Sequence, residues 1–246
     1  MPRRALLTPP LPVDRPVLKS MVVPSGRGGP ALDPELLRYR LLAPRARTKS
    51  RELALAYATW RRVWARTFAE LDGQAAMFSD DFTRQDELGV LFHDGECVGM
   101  TAYRWLECAG LGTSDDSYFK AWPAHALAAL RRAGSTVCVG SYLTVEPAWR
   151  GPRGAVSAKE LLLALAVERY LASSADVMAG TLRNDRGMNG LAYRLGARAV
   201  ATGVPHHGVP VDLVVFERDA KERFQLTPLV EELTQTLVAT ALTESR

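Results

Sequence analysis

An arginine- and glycine-rich loop between a buried strand and an apolar helix is the part of this sequence best suited to chemistry. The strand, Thr136 to Val145, is ended by the Glu-Pro pair that follows, because proline cannot donate to a β-ladder. The loop, Trp149-Arg-Gly-Pro-Arg-Gly-Ala155, leads straight into a helix predicted from about Ser157 to Ser173. Free N–H groups at a helix start bind anions, and Arg150 and Arg153 add forked donors suited to phosphate. The sequence therefore predicts an anion site here.

Three side chains are candidate general bases by residue type. Glu146 directly follows the strand, and His206 and His207 lie in a predicted loop, Val-Pro-His-His-Gly-Val-Pro, between two later strands. Histidine can act as a base at neutral pH, and a carboxylate can when its pKa is raised toward working pH. Each residue has a structural alternative, Glu146 as a cap of the strand end and the histidines as exposed turn residues. No third ligand stands at short spacing from the histidines, so no metal is expected.

Other catalytic and binding signatures are missing. The sequence has no G-x-S-x-G, no P-loop and no three-glycine dinucleotide fingerprint. Cys97, Cys108 and Cys138 lack CxxC spacing, so neither a disulfide framework nor a cysteine zinc site is expected, and a reducing cytoplasm fits best. No helix-turn-helix, zinc finger or aromatic-basic RNA motif is present, which argues against nucleic acid as a partner.

Composition indicates a globular chain with a basic lead segment. Its 246 residues are 47% hydrophobic and 24% charged, and the longest apolar run, Leu161 to Val167, is far too short to cross a bilayer. Residues 1–30 contain 7 of the 15 prolines and carry a net charge of +4, which equals that of the whole chain. We expect a flexible tail over residues 1–30 and one folded domain over 31–246.

The surrounding elements follow from periodicity and turn residues. Helical spacing of Leu53, Tyr57, Trp60, Trp64 and Phe68 predicts an amphipathic helix over about 50–71. Asp94-Gly95 predicts a hairpin between Leu88–His93 and Glu96–Trp105. The remaining predicted elements are a helix after Pro123, a strand Asp176–Leu182 parallel to the first, a helix Asn184–Leu195 closed by Gly196, strands Ala199–Thr202 and Val211–Glu217, and a helix Thr227–Thr243.

This order of elements resembles the GNAT superfamily of acyl-CoA-dependent N-acyltransferases over about residues 86–218. Leu143-Thr-Val-Glu-Pro-Ala-Trp-Arg-Gly151 is similar to the family's strand end and pyrophosphate loop. Asn184, followed by Tyr193-Arg-Leu-Gly196, is similar to its asparagine–tyrosine–glycine segment. Two details depart from the family: the second loop glycine, Gly154, comes one position late, and Ala192 occupies the usual place of the tyrosine.

The resemblance implies an α/β fold, with a mixed, mostly antiparallel sheet whose central strands splay apart near Val145 and helices that flank it. The donor, acetyl-CoA or a longer acyl-CoA, would lie in that gap, and an amine acceptor would attack its thioester directly. Backbone N–H near Val145 would stabilise the oxyanion. Tyr193 would be the general acid, with Glu146, His206 or His207 as base. The implied donor-binding residues are Val145, Arg150, Gly151, Arg153, Gly154, Ala155, Val156, Ser157 and Asn184.

About 30 residues separate Trp105 from Val137, where a tight connection is usual, and they include the predicted helix. A similar insert occurs in acyl-homoserine-lactone synthases and long-chain N-acyl amino acid synthases, which often use acyl-carrier protein. A basic stretch from Arg38 to Arg66 could meet such an acidic carrier or be a solvated face. Three hypotheses stay open: a CoA-dependent N-acyltransferase, a carrier-protein-dependent N-acyl amino acid synthase, and an inactive GNAT-fold binding module.

Overall fold

A computed structural model describes residues 30–45, 50–73, 77–110, 113, 115–151 and 154–245 of the chain. The predicted tail, residues 1–30, lies outside the described residues except for Pro30, and Arg153 of the loop also lies outside them. The division into a tail and one domain therefore stays a prediction. None of the described helices is both long enough and apolar enough to cross a membrane.

Seven strands form one mixed sheet around which the molecule is built. Their order is β1-β2-β3-β4-β5-β7-β6, and all neighbours run antiparallel except β4 and β5. The predicted parallel pair is thus confirmed, and so is the mixed, mostly antiparallel sheet with flanking helices. The strands are β1 Leu37–Leu42, β2 Glu87–His93, β3 Glu96–Glu107, β4 Thr136–Val145, β5 Val177–Arg183, β6 Arg198–His206 and β7 Val209–Glu217.

Among the described residues, six α-helices flank the sheet. They are α1 Arg51–Asp72, α2 Asp80–Thr83, α3 Ala124–Ala133, α4 Ala158–Leu171, α5 Met188–Arg194 and α6 Pro228–Glu244. α4 lies between the sheet and α6, so every residue of its apolar run Leu161–Val167 is buried. On the opposite face, α1 packs on β3 and β4 and α3 packs on β5, β6 and β7.

Local sequence signals located most of these elements. Ser50 caps α1 by accepting the N–H of Leu53, and Gly73 ends the helix in the left-handed conformation. The hairpin turn at Asp94-Gly95 has the positive φ angles, 48° and 77°, that a tight two-residue turn needs. The edge strand β1 and the short helix α2 were not predicted, because neither has a strong period or cap in the sequence.

The last hairpin differs from its prediction. The segment expected to be a loop between residues 202 and 211 is strand at both ends, with His206 closing β6 and only His207-Gly208 in the turn. Pro205 and Pro210 are paired across this hairpin. They favoured the prediction of a loop, because proline cannot donate a backbone hydrogen bond to a β-ladder. Pro205 is tolerated because β6 is the edge strand of the sheet, and Pro210 because the pairing of β7 with β5 ends one residue before it, at Val211.

β4 and β5 are held together at one end and separate at the other. Their pairing extends only from Val137–Gly140 against Val177–Gly180. At the closed end, the Asp176 carboxylate accepts hydrogen bonds from the backbone and hydroxyl groups of Ser135 and Thr136, at 2.8–3.0 Å. Beyond Gly140 the ladder stops, so the expected gap between the two central strands begins there.

A β-bulge in β4 determines which side chains face α1. Ala102 pairs with Ser141 and Met100 with Thr144, so β4 holds one residue more than β3 over this interval. The extra residue is accommodated at Tyr142, whose φ of 50° is unusual for a residue with a side chain. Consequently Tyr142 and Thr144 both contact Trp64 of α1. In a strand without the bulge, every second side chain counted from Val139 would face α1 instead, and Tyr142 and Thr144 would face the opposite side of the sheet.

Gly196, which was predicted to close the helix before β6, has a φ of 77°, and a Cβ there would lie 2.4 Å from the Ala220 carbonyl oxygen. We expect Gly196→Ala to lower the free energy of unfolding by roughly 2 kcal/mol or more, since strain and the backbone clash act together. Gly190→Ala is the matched control in α5, because a Cβ at Gly190 meets nothing within 4 Å. Urea denaturation checks both, and equal effects of the two variants would contradict the explanation.

Candidate active site

The backbone of Val145 is directed into the gap between β4 and β5. Glu146 N donates to Val98 O at 2.9 Å. Hydrogen-bonded and non-hydrogen-bonded pairs alternate along an antiparallel ladder, so the next pair, Gly99 with Val145, is a non-hydrogen-bonded one. In such a pair the N–H and C=O groups point away from the partner strand, so those of Val145 point to the side from which β5 has separated. The carbonyl accepts Nε of Arg150 at 2.9 Å. The N–H faces the same gap.

The start of α4 supplies further N–H groups next to Val145. Gly151 and Gly154 adopt positive φ angles of 103° and 75°, which turn the loop, and buried Val156 anchors its end to the core. Ser157 is the N-cap residue, but its side chain makes no capping hydrogen bond. The first intrahelical bond runs from Leu161 N to Ser157 O, so the N–H groups of the preceding turn remain available to an anion.

Arginines from three separate segments gather beside this helix start. Partial burial and the charge of nearby Arg186 lower the pKa of Arg150 below its ordinary value. Arg186 lies in the turn after β5 and forms an ion pair with Glu70 of α1 at 3.3 Å. Arg66 of α1 binds the same carboxylate at 2.9 Å. Periodicity indicated neither Arg186 nor this grouping, because the segments meet only in the folded chain.

Glu146 is ion-paired at the open end of β4. Its carboxylate contacts the guanidinium of Arg62 from α1, and 19% of its side chain is exposed. Arg62 belongs to the basic stretch noticed in the sequence, so at least this part of that stretch lies at the candidate site. Glu146 therefore stands within reach of both the gap and the arginine group, and its role as a base stays a prediction.

A row of aromatic rings runs from β4 to the turn between β6 and β7. Tyr142 contacts Trp64 (ring centroids 5.1 Å apart), Trp64 contacts Phe68 (5.6 Å), and Phe68 contacts His207 (5.4 Å). His206 adjoins His207 at 4.3 Å. The aromatic stripe of α1, which the sequence suggested as core, thus also crosses the open side of the gap and brings His207 into the same neighbourhood.

Two tryptophans hold the separated parts of the central strands. Trp64 Nε1 donates to Thr144 Oγ1 of β4 at 2.9 Å, and Trp122 Nε1 donates to Thr181 Oγ1 of β5 at 3.1 Å. Both threonines lie beyond the last paired residues, Gly140 and Gly180. Trp122 belongs to the insert before β4, which is fastened to β3 by the two-pronged ion pair of Arg104 with Asp116 at 2.6 and 2.8 Å. The insert therefore supports β5 while α1 supports β4.

Asn184 and Tyr193 meet at a buried carboxylate that the sequence analysis did not single out. Asp212 of β7 accepts hydrogen bonds from Asn184 Nδ2 (3.0 Å), Asn189 Nδ2 (2.9 Å), Tyr193 Oη (2.5 Å) and the Gly203 N–H (2.9 Å). These bonds lower the pKa of Asp212 to about 2, against the effect of burial. Burial and the adjacent carboxylate raise the pKa of Tyr193 to about 12. An aspartate interrupting the buried strand Val211–Phe216 was the available signal.

The predicted site residues thus fall into three groups. Val145, Arg150, Gly151, Gly154, Ala155, Val156 and Ser157 follow one another along the end of β4 and the start of α4, with Glu146 among them. Asn184 and Tyr193 lie together on the β5 and β7 side, and His206 and His207 lie at the β6–β7 turn across the aromatic row. Within the described residues no group of three His, Cys, Asp or Glu side chains could hold a metal ion.

The fold matches that of known acyltransferases. FeeM, an N-acyl amino acid synthase from uncultured soil microbes, superposes with a TM-score of 0.55 at 16% identity, covering 77% of this chain and 95% of that one. An apo agmatine N-acetyltransferase gives 0.52 at 13% identity over 74% and 99% of the two chains. BjaI, a CoA-dependent acyl-homoserine lactone synthase with SAM and isopentyl-CoA, gives 0.51 at 9% identity over 82% and 90%.

These similarities show that the chain has the fold of these acyltransferases, in agreement with the fold that the resemblance in the sequence implied. No family model matches the chain, and the comparison with curated proteins gives no match either. Sequence identities of 9–16% support a shared fold but do not identify the reaction of this chain. The reaction must therefore be argued from the site.

The contact between Trp64 and Thr144 can be measured by a double-mutant cycle. We expect Trp64→Phe and Thr144→Val to couple by about 1 kcal/mol in the free energy of unfolding, the usual contribution of one buried hydrogen bond. Chemical denaturation of the two single variants and the double variant gives the coupling. Strict additivity would show that the indole N–H does not hold this part of β4.

Proposed function

We propose that this protein is an N-acyltransferase that moves an acyl group from a CoA-derived thioester to the amine of a small molecule. The observation that carries the proposal is the juxtaposition of three anion-binding features: the inward N–H of Val145, the uncapped start of α4 and the side chain of Arg150. In an acyl transfer the Val145 N–H would stabilise the oxyanion. The start of α4 and the Arg150 side chain would bind the CoA pyrophosphate.

The reaction is a direct displacement in a single active site. The neutral amine nitrogen attacks the thioester carbonyl carbon, forming the C–N bond and a tetrahedral oxyanion next to Val145 N. The intermediate then breaks the C–S bond and releases the thiolate, while a base takes the proton from nitrogen. We propose no covalent enzyme intermediate, since Cys97, Cys108 and Cys138 are buried and burial raises the pKa of each thiol.

Donor binding tests the proposal first. Isothermal titration of the full chain with acetyl-CoA and with palmitoyl-CoA below its micelle concentration should show binding of at least one. Arg150→Ala should weaken it at least tenfold, because a guanidinium–phosphate contact contributes about 1.5–3 kcal/mol. Arg131→Ala, an exposed arginine of α3, is the matched control and should bind as the parent does. If neither thioester binds, the CoA proposal is wrong.

The base is proposed to be Glu146, which directly follows β4, or one of the adjacent His206 and His207 at the β6–β7 end of the aromatic row. Glu146→Gln keeps the shape of the side chain, and His207→Asn suits the φ of 49° at that position, since asparagine tolerates the left-handed conformation. Loss of the base should lower kcat about 100-fold or more, and the other variant should stay within about threefold. Steady-state rates with the preferred donor decide between them. Two unaffected variants would place the base at His206 or elsewhere.

A second candidate is a long-chain N-acyl amino acid synthase-like enzyme that takes its acyl group from acyl-carrier protein. Two features favour it: the insert that supports β5, and the arginines of α1 that join Arg150 and Arg186 at the candidate donor site. A cationic rim of this kind suits an acidic carrier. Turnover with palmitoyl-carrier protein but not with palmitoyl-CoA would select this candidate. Thioester affinity that Arg150→Ala leaves unchanged, without turnover, would select the inactive binding module.

A further inference from the structure

Asp212 is a carboxylate in a place where the sheet is otherwise apolar. It lies on β7 opposite Leu182 of β5 and is 4% exposed. Val214 and Phe216, two and four residues further along β7, belong to the core beneath α4, so alternation directs Asp212 to that face of the sheet. It therefore stands on the α4 side of the separated part of β5, where the thioester donor is proposed to lie.

The four groups that donate to Asp212 come from three different segments. They belong to the turn after β5, the two ends of α5 and the β6 backbone, where Gly203 lies in a register shift with a φ of 63°. All four are neutral, so hydrogen bonds alone stabilise the anion. A carboxylate has lone pairs enough for all of them, whereas an amide in its place would turn an NH₂ group toward one or more donors.

This arrangement determines which atoms of Asn184 and Tyr193 remain for a ligand. A carboxylate only accepts, so Asn184 must direct Nδ2 at Asp212 and its carbonyl oxygen away from it. That oxygen, Oδ1, is buried and has no hydrogen-bond partner among the described residues. The single proton of Tyr193 is likewise committed to Asp212 Oδ2, which leaves its hydroxyl oxygen only as an acceptor.

We infer that Asp212 is a positioning residue that presents Asn184 Oδ1 and Tyr193 Oη as acceptors for the amide N–H groups of the donor's pantetheine arm. The inference rests on the proposed function, and it gives Tyr193 a binding role in place of the general acid that the family resemblance implied. The leaving thiolate then takes its proton from water. Because CoA and carrier-protein donors share the pantetheine arm, the same contacts serve both.

The test compares affinity with turnover in three variants. Asp212→Asn should raise the Kd for the preferred acyl-CoA about tenfold, and Tyr193→Phe should raise the KM for that donor severalfold while kcat stays within about threefold. Asp176→Asn is the matched control, because Asp176 also accepts four hydrogen bonds but lies at the closed end of β4 and β5. It should lower the melting temperature and leave the donor Kd unchanged.

Two results would overturn the inference. A fall in kcat of about 100-fold for Tyr193→Phe with unchanged KM would make Tyr193 the general acid. Loss of stability in Asp212→Asn with an unchanged donor Kd would make Asp212 a structural residue only.

A spectroscopic measurement separates this inference from the proposed function. The ¹³Cζ resonance of Tyr193, assigned by its loss in Tyr193→Phe, should titrate at a lower pH in Asp212→Asn than in the parent chain, because the adjacent carboxylate adds to burial in raising the pKa of Tyr193. Identical titration in both proteins would overturn the positioning role whatever the chain binds. Failure of the parent chain to bind any acyl-CoA would count against the proposed function instead.

Discussion

The site depends on the short pairing of the two parallel strands at the centre of the sheet. Four residues of β4 pair with four of β5, and the pairing stops at Gly140 and Gly180. Beyond Gly140 and Gly180, backbone groups that would have bonded each other must find other partners. The Val145 carbonyl uses Arg150, and its N–H is left facing the gap. A ligand that completes the ladder gains hydrogen bonds that the protein alone does not make.

An open sheet of this kind needs support from outside the ladder, and aromatic side chains provide it. The bulge at Tyr142 turns Tyr142 and Thr144 toward α1, so a helix that packs on β3 and β4 can also bond the free end of β4 through Trp64. Trp122 does the same for β5 from the insert. Indole N–H donors suit this task because each ring packs against the core while its polar edge satisfies a hydroxyl.

Charge is distributed unequally around the gap. On one side, arginines of α1, of the loop after β4 and of the turn after β5 surround two carboxylates, Glu70 and Glu146. On the other side, a single buried carboxylate, Asp212, is satisfied by neutral donors. The first arrangement suits a phosphate-bearing partner, and the second suits uncharged amide groups. A donor with a phosphate head and an amide-containing arm is compatible with both.

The sequence by itself determined most of the elements and the local part of the site. Period, caps and turn residues located the hairpin, the long first helix, the parallel pair and the loop from Arg150 to Ser157, because these depend on neighbours within a few residues. The tertiary structure alone decided the contacts between distant segments: Arg62 with Glu146, Phe68 with His207, and Asp212 with Asn184 and Tyr193. Such pairs depend on how strands are ordered in the sheet and on the bulge at Tyr142, which resets the alternation of side chains. One residue of β4 in the left-handed conformation thus changes which side chains of the strand face α1. No local pattern in the sequence predicts this change.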